Sequence, residues 1–228
     1  AMFSSLAFVH GLGRVGRANW PMQLEPFADA AFVTLPGFGD ESPRAGDVDA
    51  AATRILDALV PGGTMVAHSY GALAAVHAAA ESEAGRIGAL VLCEPALYSL
   101  EGAAVAAHNA RMRPVFDAAP RLSTDEFWEQ FMLALTGRAA GPLDEASRPD
   151  AERARLQPPP WSVEVAEGLF ERVPTLVVTG GWNEEYEQIA RAIAERGGTH
   201  VVLDGAGHRP QDHAEFNTLL WAIVGGPD

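Results

Sequence analysis

Ala67-His68-Ser69-Tyr70-Gly71 follows the apolar run Thr64-Met65-Val66 and opens the alanine-rich segment Ala72-Leu73-Ala74-Ala75-Val76. The first run has the character of a buried strand and the second reads as a helix. A serine at their junction, with tiny side chains two residues away on each side, has the pattern of a nucleophile elbow. The turn is so tight that Ala67 and Gly71 must be small to avoid each other. It lifts the serine hydroxyl clear of the sheet and turns the following N–H towards a substrate, which suits acyl transfer and its close relatives.

Outward from this junction, apolar runs of strand length alternate with helical patterns, the signature of a parallel sheet buried on both faces. The predicted strands are Leu6–His10, Ala31–Leu35, Thr64–His68, Ala89–Cys93, Thr175–Thr179 and His200–Leu203. Predicted helices cover Asp49–Leu59, Gly71–Glu83, Tyr186–Glu195 and His213–Val224, with Asp49 and Glu184 placed near starts where the helix dipole favours them. The expected fold class is α/β: a mostly parallel central sheet covered by helices on both faces.

From about Ala96 to Arg172 no strand is predicted. Helical patches at Gly102–Arg111, Thr124–Leu135 and Glu164–Phe170 are separated by Pro114, Pro120, Gly141-Pro142 and Pro158-Pro159-Pro160. Met112, Phe116, Phe127, Trp128, Phe131, Met132 and Trp161 make this a packed insertion rather than a linker. They either seat the insertion on the sheet or line a pocket beneath a lid. The expected division is a core of 1–95 and 173–228 with a helical lid insertion at 96–172.

With 228 residues, 48% of them apolar, the chain can bury a sizeable core without metal or disulfide support. A formal charge of −14 argues against nucleic acid and anionic membranes as partners. The sole cysteine, Cys93, excludes an intramolecular disulfide and suits a reducing compartment. No signal-peptide pattern or bilayer-length apolar run is present, so a cytoplasmic enzyme is the expectation. Ala1 before Met2 looks like a remnant of expression, which places the native start at Met2. No heptad or apolar stripe marks an oligomer interface.

His10-Gly11-Leu12-Gly13 ends the first strand and offers a backbone N–H, that of Leu12, which with the N–H of Tyr70 would form an oxyanion hole. Glycines needed only for a positive φ are the plainer reading. Gly11-Leu12-Gly13-Arg14-Val15-Gly16 also fits G-x-G-x-x-G, but the second strand runs into Pro36-Gly37-Phe38-Gly39 without the acidic residue that a dinucleotide fold expects. For the base, His208 in the loop Gly205-Ala206-Gly207-His208 can swing its imidazole over Ser69. His10 and His68 sit at strand ends that turn them away, His77 reads as an ordinary helix residue, and His213 is the reserve. For the acid, the loop after Thr175–Thr179 offers Asn183 where an aspartate would serve, followed by Glu184 and Glu185, which capping and dipole roles explain. Glu94, ending the apolar run Leu92-Cys93-Glu94-Pro95 on the same sheet edge as Ser69, needs a partner and is the preferred acid, with Glu184 or Glu185 as alternatives. An ion pair of Glu94 with Arg111 or Arg113 is the purely structural alternative.

His10-Gly11, the Ala67–Gly71 elbow, the helical insertion and Gly207-His208, in this order, resemble the α/β-hydrolase family over nearly the whole chain. Pro36-Gly37-Phe38-Gly39 is similar to the turn many members carry after their second core strand. The elbow departs from the family's G-x-S-x-G only at Ala67. The resemblance implies a lid over the carboxyl ends of the strands and a Ser–acid–His triad with no cofactor and no metal. Some branches, certain haloalkane dehalogenases and zearalenone lactonases among them, place the acid after the strand following the elbow, where Glu94 stands. Those dehalogenases use an aspartate nucleophile, so Ser69 argues against dehalogenation. The expectation is a serine hydrolase acting on a hydrophobic ester or lactone, with Ser69, His208 and Glu94 catalytic and Leu12 and Tyr70 holding the oxyanion. A lyase or cyclase on the same fold, or a ligand-binding protein with weak hydrolase activity, is the alternative.

Overall fold

The structure is a computed structural model describing residues 4–225; the Ala1–Met2 junction lies outside them. Strands β1 (Ser4–Val9), β2 (Ala31–Val33), β3 (Leu59–His68), β4 (Ile87–Cys93), β5 (Thr175–Thr179) and β6 (Thr199–Val202) form one sheet in the order β2-β1-β3-β4-β5-β6. Every neighbouring pair is parallel. The chain winds one way from β1 to β2 and the other way from β3 onward, so the order reverses between β1 and β3. A crevice opens at such a reversal, outside the carboxyl ends of the strands, and ligands bind there.

Period-two alternation divides the core. Ala7, Val9, Met65, Ala67, Leu90, Leu92 and Val177 pack on one face with helices α1 (Val48–Ala58), α2 (Gly71–Glu81) and α7 (Glu184–Glu195). Leu6, Phe8, Val66, Val91, Cys93 and Val178 pack on the other with Trp20, Phe27 and helix α8 (Phe216–Val224). Phe8 lies against Trp20, Phe32 and Phe27, with ring centroids at 4.9, 5.0 and 5.8 Å. Phe8→Ala would therefore cost about 3–5 kcal/mol. Both faces being covered explains why the central strands read as unbroken apolar runs.

Two boundaries differ from the sequence reading. β3 begins at Leu59 and passes through Pro61-Gly62-Gly63 with a register irregularity, because the Arg86 guanidinium donates to the carbonyls of Leu56, Leu59 and Val60. The last helix starts at Phe216 rather than His213, after a short 3-10 turn at Pro210–Asp212.

Between β4 and β5 lie helices α3 (Ala103–Ala118), α4 (Thr124–Thr136), α5 (Arg148–Arg155) and the single turn α6 (Leu169–Arg172). α3 runs through Pro114, which the sequence reading took as a break. Its buried stripe is Val105, His108, Met112 and Val115, so Pro114 and the Ala110 carbonyl it leaves free both face solvent. α4 starts with a capping box between Ser123 and Glu126 and stops at left-handed Gly137. Glu164–Phe170, expected helical, keeps only its last two residues in α6.

Candidate active site

Ser69 directly follows β3 with φ at 52°, and Glu94 directly follows β4 next door with φ at 44°; among the described residues no other non-glycine has a positive φ. A left-handed conformation costs a branched or charged side chain about 1–3 kcal/mol and persists only where the surroundings hold it. Here they do: the Ser69 N–H donates to the Cys93 carbonyl at 2.9 Å and the Glu94 N–H to that of Val178 at 2.9 Å. Ala96 N–H returns to the Ser69 carbonyl at 3.0 Å. Gly71 is obligatory, since a Cβ there would lie 2.3 Å from the His10 carbonyl oxygen.

The structure brings Ser69, His208 and Glu94 together. His208 Nε2 lies 3.1 Å from Ser69 Oγ, and its Nδ1 lies 3.4 Å from Glu94 Oε2. Glu94 is fully buried. No arginine meets it: Arg111 pairs with Glu185, and Arg113 sits over the Trp161 ring. Its carboxylate is oriented instead by the Gly180 N–H at 2.7 Å and by Trp182 Nε1–H at 3.0 Å. Such hydrogen bonds satisfy polar atoms that burial would otherwise leave without partners. The loops bearing these donors and His208 meet along a backbone seam, for a Cβ on Gly180 would fall 1.9 Å from the Gly207 carbonyl oxygen.

His208 is held from two further directions. Its carbonyl accepts from His68 Nε2–H at 2.7 Å, and the following Arg209 donates to the Asn19 side chain and carbonyl at 2.9 and 2.8 Å. Burial, then the nearby His208 charge, drives the His68 pKa well down. His10 Nδ1–H donates to the Gly11 carbonyl at 2.6 Å while Nε2 accepts from Leu35 N–H at 3.0 Å. Burial lowers its pKa to about 4, so it is a neutral clamp between the ends of β1 and β2. His77 pairs with Asp49, and His213 Nδ1 accepts from the Glu215 N–H; neither reaches the site.

Gly11 has a spatial reason rather than a dihedral one: its φ is not positive, but a Cβ would stand 3.1 Å from that of Ser69. The strand after which it comes leads to a 3-10 turn at Gly16–Asn19, not to a phosphate-binding helix, which removes the dinucleotide reading. Leu12 and Tyr70 both line the site. Among the described residues neither of their N–H groups meets a backbone acceptor, and Tyr70 stands at the N-terminus of α2, where such donors are free.

The alternative acids go elsewhere. Asn183 caps α7 by accepting from the Glu185 N–H at 2.8 Å, and exposed Glu184 pairs with Arg191. Glu185 binds Arg111, Tyr98 and His108 on the insertion side. Burial pushes its pKa up, but His108, Arg111 and Tyr98 together outweigh this and hold it at about 2.

Ser69 opens into a cavity of about 580 Å³. Met112, Phe116, Trp128, Phe131 and Met132 of the insertion line it, whereas Phe127 is buried and Trp161 packs edge-on against Phe116. The insertion is tied to the elbow where the Tyr70 hydroxyl donates to the Pro158 carbonyl at 2.6 Å. Among the described residues no three His, Cys, Asp or Glu side chains converge as a metal site. No helix there is long and apolar enough to cross a membrane. The sequence reading missed Trp182, for which a lone indole in a glycine-rich loop was the available signal. It also missed Tyr186, whose ring lies 5.0 Å from that of His208.

A sequence profile of the Alpha/beta hydrolase family matches residues 6–216. The chain belongs to that family. No curated protein matches it. Among solved structures it is similar to MenH from S. aureus, at 21% identity and a TM-score of 0.65 over 96% of this chain and 92% of that one. Epoxide hydrolases of the superfamily from metagenomes of hot environments share 15% identity with a TM-score of 0.68, over 99% and 93%. A thermophilic esterase from Thermogutta terrifontis shares 21% with a TM-score of 0.58, over 96% and 87%. At these identities the likeness is one of fold.

Proposed function

We propose that the protein is a serine hydrolase that cleaves a hydrophobic carboxylic ester or lactone, using Ser69, His208 and Glu94. The observation carrying this reading is the left-handed Ser69 with His208 Nε2 at 3.1 Å and a buried carboxylate behind the imidazole. Ser69 Oγ attacks the substrate carbonyl carbon while His208 Nε2 takes the hydroxyl proton. The N–H groups of Leu12 and Tyr70 receive the developing oxyanion, each worth about 3–4 kcal/mol in the transition state. The tetrahedral adduct collapses, the C–O bond breaks, and His208 returns its proton to the departing alkoxide. In a lactone that alkoxide stays tethered to the acyl chain. Water then attacks the acyl-serine, with His208 again accepting and returning a proton, and the free acid leaves. Glu94 keeps the imidazole oriented and balances its positive charge. The aromatic and methionine wall supports an apolar acyl or alcohol group, and the cavity volume suits a small molecule. The proposed partner is therefore a small ester or lactone, not a nucleic acid or a membrane.

Intact-mass spectrometry after treatment with a fluorophosphonate tests the reading. One adduct on wild type, with none on Ser69→Ala or His208→Ala, is expected. No adduct on any form would overturn it and turn the search to a lyase, a cyclase or a binding protein.

A further inference from the structure

One imidazole in the wall of the cavity that holds Ser69, that of His108, belongs to a second carboxylate–imidazole pair. Glu185, near the start of α7, places Oε2 at 2.9 Å from His108 Nδ1 on α3, off the axis of a linear hydrogen bond but with no other acceptor for that nitrogen. The same Oε2 accepts from the Tyr98 hydroxyl at 3.0 Å, and Oε1 accepts from Arg111 at 3.0 Å. The His108 ring stacks on Tyr98 at 3.9 Å and 19°, which sets the plane of the imidazole. The two helices are pinned at this place, since the Ala104 N–H donates to Gln188 of α7 at 2.9 Å. His108 and Tyr98 are only 3% exposed, and both line the cavity together with Tyr186, whose ring lies 6.1 Å from that of Tyr98.

Burying a carboxylate and an imidazole in an aromatic wall is costly unless their polar atoms are used. Arg111 shares in compensating the Glu185 charge, and Nδ1 is the His108 ring nitrogen that faces Oε2. Imidazole geometry then turns Nε2 away from Glu185, and it is not among the buried nitrogens lacking a partner. A ring nitrogen set in an aromatic wall discriminates by hydrogen bonding rather than by size. We propose that His108, positioned by Glu185, binds a hydroxyl group of the substrate, so that the preferred ester or lactone carries an alcohol or phenol away from its scissile carbonyl. This rests on the hydrolase reading for the reaction, but not for the binding.

The test compares p-nitrophenyl esters of phenylacetic, phenylpropanoic and phenylbutanoic acids with partners bearing a 4-hydroxyl on the phenyl ring of the acid. Wild type is expected to favour the hydroxyl form by about tenfold or more in kcat/KM at one chain length or more. The ratio should fall to within about twofold of unity in His108→Phe and Glu185→Gln, and persist in Glu184→Gln. No preference in wild type, or one that survives in His108→Phe, overturns the proposal. Calorimetric titration of Ser69→Ala with 4-propylphenol and its methyl ether reads the same site without turnover. Tighter phenol binding that disappears on adding His108→Phe supports the assignment even where fluorophosphonate labelling fails. Equal binding of the two compounds defeats it even where labelling succeeds.

Discussion

Two glutamate–histidine pairs present their imidazoles to one cavity, and they are built in opposite ways. Glu94 and His208 stand on loops at the carboxyl edge of the sheet, the acid fully buried on a left-handed backbone and the imidazole 37% exposed. Glu185 and His108 stand on two helices, the acid 16% exposed and the imidazole 4%, stacked flat on a tyrosine. The first pair leaves its imidazole free to change partners during a reaction, and the second immobilises it. Only the first has a hydroxyl on a strained turn within 3.1 Å of its free nitrogen. Pairing an acid with an imidazole is therefore insufficient to mark a catalytic base. On the proposed reading, the backbone that delivers Ser69 decides between them.

The comparison breaks most visibly at the imidazoles. Ser69→Ala or His208→Ala should lower kcat/KM on an activated ester by about 10⁴-fold or more, while His108→Ala on an unhydroxylated ester should cost less than about tenfold. Comparable losses at both histidines would merge the two roles. At the acids, Glu94→Gln should cost about 10²–10⁴-fold, because the amide no longer supports the imidazolium, and Glu185→Gln less than about tenfold on that ester. Equal, small effects at Glu94, Glu184 and Glu185 would remove the acid assignment and leave the fold intact. Trp182→Phe sharpens the picture: it deletes one of the donors to Glu94 and should reduce kcat/KM by about fivefold, with the acid limb of the pH–rate profile displaced. The smallest effect is on acid stability. Glu185 carries a folded pKa of about 2 against an ordinary 4.5, so its contribution is full above pH 4.5 and is lost as pH falls towards 2. Urea midpoints between pH 5 and pH 2.5 should decline less steeply in Glu185→Gln than in wild type.

Much of this was legible in the residues. The strands were visible because a doubly covered parallel sheet writes each one as an apolar run, and Ser69 because a strand-to-helix turn admits only small neighbours. Glu94 was visible as a carboxylate at the end of such a run. Helix α5 was not, because Arg148-Pro149-Asp150-Ala151-Glu152-Arg153-Ala154-Arg155 carries no large apolar side chain. It docks through Arg153, whose guanidinium donates to the carbonyls of Gly37, Gly39 and Glu41, an anchoring that hydrophobic periodicity does not record. Glu185 does stand in the first turn of α7, where the helix dipole favours it, but its further contacts were not legible because Tyr98, His108 and Arg111 lie far away in sequence.

The seam between Gly180 and Gly207 bears on how such a site diversifies. A methyl group at position 180 would wedge the two loops apart, carrying Trp182 away on one and His208 on the other. The alignment of Glu94 and His208 is thus written in hydrogens where side chains would be, at a place outside the cavity lining. Libraries aimed at new substrates have room on the faces of α3 and α4, whose side chains line the cavity. Position 180 admits no such exploration, and a scan there should return glycine alone.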